Sequence, residues 1–149
     1  MAEIKRKSYT QAGTPASALT TELNSLATAT ASAAGPAQDN STNLDIYADF
    51  VLSVTFGSAP TAGNTVDLYI LPSVDGGTNY SDAPVAATPP KELFAGSFYV
   101  RAVTTAQVIM LANVLIPEKW KACLVNNSGQ AFPASGSTLK YQSYHFQSV

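Results

Sequence analysis

The chain has 149 residues and a formal net charge of −2, which suits one domain with a sizeable core. This charge balance lacks the basic excess that is typical of nucleic-acid-binding proteins. Charged residues make up only 12% of the sequence, about half the usual share. We therefore expect a surface built largely from Ser, Thr, Asn, Gln, Gly and Ala, which favours large contacts with other proteins.

No secretion signal or membrane span is recognisable in the sequence. The basic residues Lys5, Arg6 and Lys7 are followed by the polar stretch 8–15, where a signal peptide would be apolar. No apolar run is long enough to cross a bilayer. The single cysteine, Cys123, excludes an intrachain disulfide framework and lies in a strand-like run. These features predict folding in a cytoplasm and a buried, unreactive thiol.

Residues 1–36 are predicted to form an N-terminal arm and linker ahead of a domain at 37–149. Thr14 and Pro15 make a plausible helix start, and Gly35-Pro36 would end any helix. Between them, Leu19, Leu23 and Leu26 follow a helical spacing, which predicts a short helix with one thin apolar stripe. Stretch 27–43 is low in complexity and predicts a linker. We expect a flexible tether whose leucine stripe and basic cluster bind a partner.

The strongest periodic pattern runs from Leu44 to Phe56. Every second residue is apolar, and the residues between them are mostly polar. A period of two over thirteen residues predicts a long strand with one buried face. Because this length is unusual for one strand, we expect a bend or bulge near Ala48-Asp49.

Further strands are predicted downstream, separated by loops rich in Gly, Pro, Asn and Ser. Pro72 should end the second strand or place it at an edge. The fourth strand is apolar on both faces. The predicted ranges are 65–71, 93–103, 107–114, 119–125 and 138–146. No helical period follows residue 35, so the fold class is all-β, an antiparallel two-sheet sandwich of jelly-roll-like type. A small closed barrel is the alternative.

Candidate chemistry is sparse in this sequence. His145 is the only histidine, which excludes a multi-histidine metal site, and no nucleophile or nucleotide-binding motif occurs. The acidic stretch 75–82 offers oxygen ligands, but it does not match a calcium-binding loop and favours a plain turn. We therefore predict no enzymatic activity, no cofactor and no metal.

Aromatic and arginine side chains are the remaining candidates for contacts. Tyr69 and Tyr99 belong to a set of aromatic residues that would fill the core, make subunit contacts or form a sugar-stacking platform. Arg101 is placed on the outward face of the third predicted strand, where it would anchor an interface or remain solvated.

Three sequence blocks resemble small virion proteins of tailed bacteriophages, in particular capsid cement, or decoration, proteins with a jelly-roll-like sandwich. The blocks read DLYILPSVDGGTNY, FYVRAVTTAQ and LVNNSGQAFPASGSTLKY, at 67–80, 98–107 and 124–141. The resemblance implies a location on the capsid exterior after assembly in the bacterial cytoplasm. It also implies the major capsid protein as a partner and a homo-oligomer, dimer or trimer. It carries no catalytic motif.

Two functions of different class follow from these patterns. The first is a structural cement protein that bridges capsomers, acts without a cofactor and binds neither nucleic acid nor membrane. The second is a β-sandwich module on the head or tail that binds host glycan through exposed tyrosines or the stretch 75–82. Labelling over the whole shell would favour the first, and labelling at the tail tip would favour the second.

Overall fold

A computed structural model describes residues 3–8, 14–85 and 90–148 of the chain. Ten β-strands and two short 3₁₀ turns, Thr21–Leu23 and Lys91–Leu93, form in these residues. The strands are β1 (Ile4–Ser8), β2 (Ala16–Leu19), β3 (Thr30–Ala31), β4 (Gln38–Asp39), β5 (Tyr47–Val54), β6 (Thr65–Ser73), β7 (Phe94–Tyr99), β8 (Gln107–Leu115), β9 (Lys119–Asn127) and β10 (Thr138–Ser148).

The strands form two antiparallel sheets packed face to face, as predicted. The first, called the β5 sheet, has the order β1–β10–β5–β8, and β2 pairs with the same edge of β10 as β1. The second, called the β6 sheet, has the order β3–β9–β6–β7, and β4 also pairs with β9. The partners are nested along the chain: β6 with β7, β5 with β8, β3 and β4 with β9, and β2 with β10. Nested pairs distributed over two sheets are the topology of a jelly roll.

The alternating residues of β5 organise the core between the sheets. Ala48, Phe50, Leu52 and Val54 are buried, while the residues between them are partly exposed. Phe50 packs edge-on against Trp120 of β9, with ring centroids 5.7 Å apart. The strand is shorter than predicted at both ends. The backbone at Leu44 has φ of 51°, outside the extended region, and Leu44 and Ile46, which the pattern placed on the buried face, are exposed.

The bulge expected near Ala48-Asp49 is present. The pairing of β5 with β8 shifts register between Ala48 and Phe50, so that two residues of β8 lie opposite Asp49. Asn113 is one of these two residues; its φ is 59°, and its N–H donates to Oδ1 of Asp49 at 2.9 Å. The bulge allows one long sheet to bend while both flanking segments keep their inward faces.

Pro72 lies within a strand that has partners on both sides, and the pairing explains how it is accommodated. β6 pairs with β9 over its whole length, but its register with β7 ends where Tyr69 meets Phe94. Pro72 therefore lies beyond the end of β7, where its missing N–H breaks no bond between β6 and β7. The third predicted strand is correspondingly shorter than expected and ends at Tyr99.

The N-terminal segment differs from the predicted arm and helix. Residues 16–19 form β2 on the edge of β10, and a 3₁₀ turn follows at Thr21–Leu23. Leu19, Leu23 and Leu26 are all buried in the core between the sheets. The helical spacing of these leucines is coincidental, because each occupies a different local structure and fills the same core. Residues 1, 2 and 9–13 of the predicted arm lie outside the described residues.

Stretch 27–43 is also not a simple linker. β3 and β4 pair with β9, and between them Ser32 and Gly35 donate backbone hydrogen bonds to Leu124 and Ala122 at 2.8 and 2.9 Å. The stretch is thus an irregular edge strand of the β6 sheet. It covers a second, smaller cluster of buried side chains on the outer side of that sheet: Tyr69, Leu71, Cys123 and Val125.

Candidate interaction surfaces

The outer face of the β5 sheet is the first candidate surface. Cross-strand pairs place Met110 beside Val51, Val108 beside Ser53 and Leu115 beside Tyr47 on this face. Val108, Met110 and Leu115 expose 70%, 66% and 67% of their surface. Large apolar side chains exposed side by side on a sheet typically mark a contact with another molecule.

Aromatic side chains from β5 and β10 extend this surface. Tyr47 stacks on Tyr144 with ring centroids 5.7 Å apart, and Phe146 packs edge-on against Tyr144 at 6.0 Å. The Tyr144 hydroxyl donates to Oδ1 of Asn113, which fixes the buried ring against the bulge. Phe146 is 58% exposed, so the aromatic cluster presents an apolar ring to solvent, and this ring is supported by the buried ring of Tyr144.

A groove of about 500 Å³ lies where the edges of the two sheets meet. Phe94 and Leu93 line one side, Val114 and Leu115 the other, and Glu92 is its one charged lining residue among the described residues. The two edges approach closely because β7 has Gly96 at this level: a Cβ there would lie 2.7 Å from the side chain of Leu111. Within the described part of the chain, β7 pairs only with β6 and β8 only with β5.

The end of β7 and the loop after it present two of the predicted contact residues, Tyr99 at the end of the strand and Arg101 in the loop. Tyr99 is 67% exposed, and Arg101 is exposed in the loop rather than on a strand face, which corrects its predicted position. The buried side chain of Gln107 holds this loop: its Oε1 accepts the Arg101 N–H at 2.8 Å, and its Nε2 donates to the Arg101 carbonyl at 2.9 Å. Arg101 is therefore displayed on a braced loop, two residues after Tyr99 at the end of β7.

The other predicted contact residues have mixed outcomes. Lys5 is exposed in β1 and forms an ion pair with Glu3 at 2.8 Å. The backbone of Arg6 and Lys7 also lies in β1, and their side chains are outside the described part of the structure. Four predicted contact residues, Leu19, Leu23, Leu26 and Tyr69, are buried, so we withdraw them as surface anchors; Tyr69 packs under Phe94, and burial raises its pKa.

A pair of titratable groups, buried Asp45 and partly exposed His145, joins the segment just before β5 to β10. The Asp45 side chain is fully buried, and its Oδ1 lies 2.7 Å from Nδ1 of His145. The Asp45 backbone is clamped by the amide of Asn40, whose Oδ1 accepts the Asp45 N–H at 2.9 Å and whose Nδ2 donates to the Asp45 carbonyl at 2.6 Å. The pair ties this segment to β10; the described residues place no nucleophilic side chain on it.

The stretch 75–82 begins with a turn closed by its own carboxylate. Oδ1 of Asp75 accepts hydrogen bonds from Ser73 Oγ and from the N–H groups of Thr78 and Asn79, and Oδ2 accepts one from Asn79 Nδ2. These bonds, led by that of the Asn79 N–H, lower the pKa of Asp75 to about 2. Tyr80 in the same loop packs against β9, where the Lys121 ammonium lies over its ring, 4.4 Å from the centroid.

We predict that a chelator leaves the melting temperature unchanged, because protein donors already occupy the Asp75 carboxylate. The contribution of this turn to stability should be present above the unfolded pKa of ~3.9 and be lost as the pH falls toward 2. Differential scanning calorimetry with and without EDTA checks whether the chelator changes the melting temperature. The variant Asp75→Asn is the control, because it removes the carboxylate that closes the turn. A drop in melting temperature that calcium reverses would contradict the prediction.

In the described ranges, no group of three or more His, Cys, Asp and Glu side chains is placed to hold a metal ion. No helix of the described chain is long and apolar enough to cross a membrane. Comparisons with protein-family models, with curated proteins and with solved structures found no match.

Sequence reasoning missed the outer face of the β5 sheet as a candidate site. The signal was present: the strand at 107–114 is apolar on both faces. Such a run predicts a strand buried on both sides, whereas β8 is an edge strand with one face open. Phe146 was placed at the end of the last strand without a role, because nothing in the local sequence indicates the neighbours Tyr47 and Tyr144.

Proposed function

We propose that this protein is a structural component of a phage virion, which binds the outside of an icosahedral capsid and stabilises it by bridging capsomers. The partner is the major capsid protein, and the action requires neither a reaction nor a cofactor. The jelly-roll topology agrees with this role, although one fold serves many functions. The resemblance of the three sequence blocks to capsid cement proteins supports the proposal independently of the fold.

The observation that carries the proposal is a lightly charged surface with large exposed apolar side chains on several sides. Seven of these residues lie in strands: Ile4, Phe94, Tyr99, Val108, Met110, Leu115 and Phe146. The other four lie outside the strands: Leu44, Ile46, Val74 and Val85. A protein that works by buried area needs such a surface, since apolar contacts form without desolvating charges. Many copies on one shell then add by avidity, even when each contact is modest.

The end of β7 with Tyr99 and the braced loop with Arg101 are the part of this surface best suited to the capsid. Tyrosine and arginine dominate the binding energy of many interfaces. A loop that is already fixed by Gln107 loses little conformational entropy on binding, which favours affinity.

Co-sedimentation with bare shells tests this contact. We expect the double variant Tyr99→Ala/Arg101→Ala to bind at least tenfold more weakly than the wild type. Lys91→Ala is the matched control, because it removes an exposed charge at the other end of β7, roughly 20 Å away. Equal binding by the double variant and the wild type would exclude the loop as the contact.

Imaging of purified virions with an antibody tests the location. Labelling over the whole shell supports the capsid role. Labelling confined to the tail tip would instead favour the glycan-binding module, for which Tyr80 is a poor platform because Lys121 already covers its ring.

A further inference from the structure

The outer face of the β5 sheet has the size of a protein interface. Val108, Met110, Leu115 and Phe146 expose 58% to 70% of their surface, and each offers on the order of 100 Å² for burial. Four such side chains give roughly 400 Å² of apolar area. At the ~60% apolar share of a typical interface, this corresponds to about 700 Å² in total, close to the ~800 Å² that each partner buries in a standard complex.

The charges of this face suit contact with an identical face. Within β5, β8 and β10, the outward side chains include one carboxylate, Asp49, and one ammonium group, Lys140. The face of these three strands is therefore neutral, so that two copies of it meet without net repulsion; β1, at the far edge of the sheet, adds Arg6 at the position paired with Phe146. The polar residues Asp49 and Gln142 form a belt between two apolar groups: Tyr47, Leu115 and Phe146 on one side, Val51, Val108 and Met110 on the other.

We propose that the outer face of the β5 sheet binds a second copy of this chain, so that the free protein is a two-fold symmetric dimer. A face-to-face contact of two sheets is the packing that the molecule already uses internally. A two-fold axis in the contact plane places the polar belts of the two copies against each other and apolar residues against apolar residues. This inference goes beyond capsid binding and does not depend on it.

Sedimentation of the purified protein, in the absence of any capsid, tests the dimer. We expect the wild type to sediment as a dimer at tens of micromolar and to dissociate on dilution. Met110→Lys and Val108→Lys, made separately, should each weaken the dimer at least tenfold, since each puts a charge at the centre of an apolar contact. Both positions are largely exposed, so the substituted chains are expected to fold, and far-ultraviolet circular dichroism checks this.

Val74→Lys is the matched control, because Val74 is fully exposed in the loop after β6 and lies away from the β5 sheet. The Val74→Lys variant should dimerise as strongly as the wild type. A wild-type monomer at hundreds of micromolar would overturn the proposal, and so would a trimer. A dimer that persists unchanged in both lysine variants would also overturn it. A monomer whose Met110→Lys variant loses binding to bare shells would assign the face to the capsid instead.

Because the dimer is measured without shells, its failure and the failure of the proposed function are distinguishable. A dimer that does not bind shells would leave this inference standing and remove the capsid role. A monomer that binds shells would do the reverse.

Discussion

Removing residues 1–35 is expected to leave a chain that does not fold. The deletion takes away β2, β3 and three leucines of the core, Leu19, Leu23 and Leu26. Loss of one buried leucine side chain typically costs about 2–5 kcal/mol of the free energy of unfolding. Three such losses are comparable to the whole stability of a typical domain, ~5–15 kcal/mol.

Deletion of residues 1–13 is the matched control for this prediction. It removes β1, which pairs with the far end of β10 at 144–148, and keeps β2. We expect this shorter deletion to unfold cooperatively on heating, at a slightly lower midpoint than the wild type. The longer deletion should show no cooperative transition in circular dichroism. A near-native melting midpoint for the chain that lacks residues 1–35 would mean that the leucines contribute little to the core.

Phe50→Ala is expected to reduce the free energy of unfolding by ~3–5 kcal/mol. The ring of Phe50 is fully buried and contacts two other aromatic rings, Trp120 and Tyr141, each with centroids 5.7 Å away. Truncation leaves a cavity between the two sheets and removes the edge-on packing against Trp120. Urea denaturation followed by tryptophan fluorescence measures the change.

Val51→Ala provides the comparison within the same strand. Its side chain lies on the opposite, partly exposed face of β5, so we expect a loss below ~1 kcal/mol. Equal losses for the two variants would show that the core is not organised around the inward face of this strand.

The main strands were predictable because their burial leaves a period of two in the sequence. β5 buries alternate residues throughout, and β6 and β9 do so over their first four residues. The predicted inward residues Trp120, Ala122 and Leu124 are all in the core. The bulge was expected from the length of the predicted strand 44–56, but β5 is shorter than that and the extra residue of the bulge belongs to β8, opposite Asp49. The alternating pattern does not determine which strands pair, so the jelly-roll-like type was a choice among two-sheet folds, which the resemblance then supported.

Stretch 27–43 was misread because its role depends on backbone hydrogen bonds. Its side chains are small, and those of Thr30, Ser32 and Ala34 give no hydrophobic period, yet Ser32 contacts β9 through both its N–H and its hydroxyl group. Edge positions are similarly invisible to the sequence. A strand with apolar residues on both faces has the same sequence pattern whether or not another element covers its second face. The exposure of Met110 was therefore evident only from the structure.

The nested pairing of the strands has a consequence for how this chain is made. β10 is synthesised last, yet it holds β1, β2 and β5 in one sheet, and β9 holds β3 and β4 in the other. A growing chain on the ribosome completes only the inner pairs, β6 with β7 and β5 with β8, before β9 and β10 emerge. Until then, β2 has no strand to pair with, and Leu19, Leu23 and Leu26 lack the complete core in which they are buried. Because closure of the β5 sheet joins strands that are far apart in sequence, folding should finish only after β10 has emerged, on the slow, millisecond-to-second scale of folds dominated by non-local contacts.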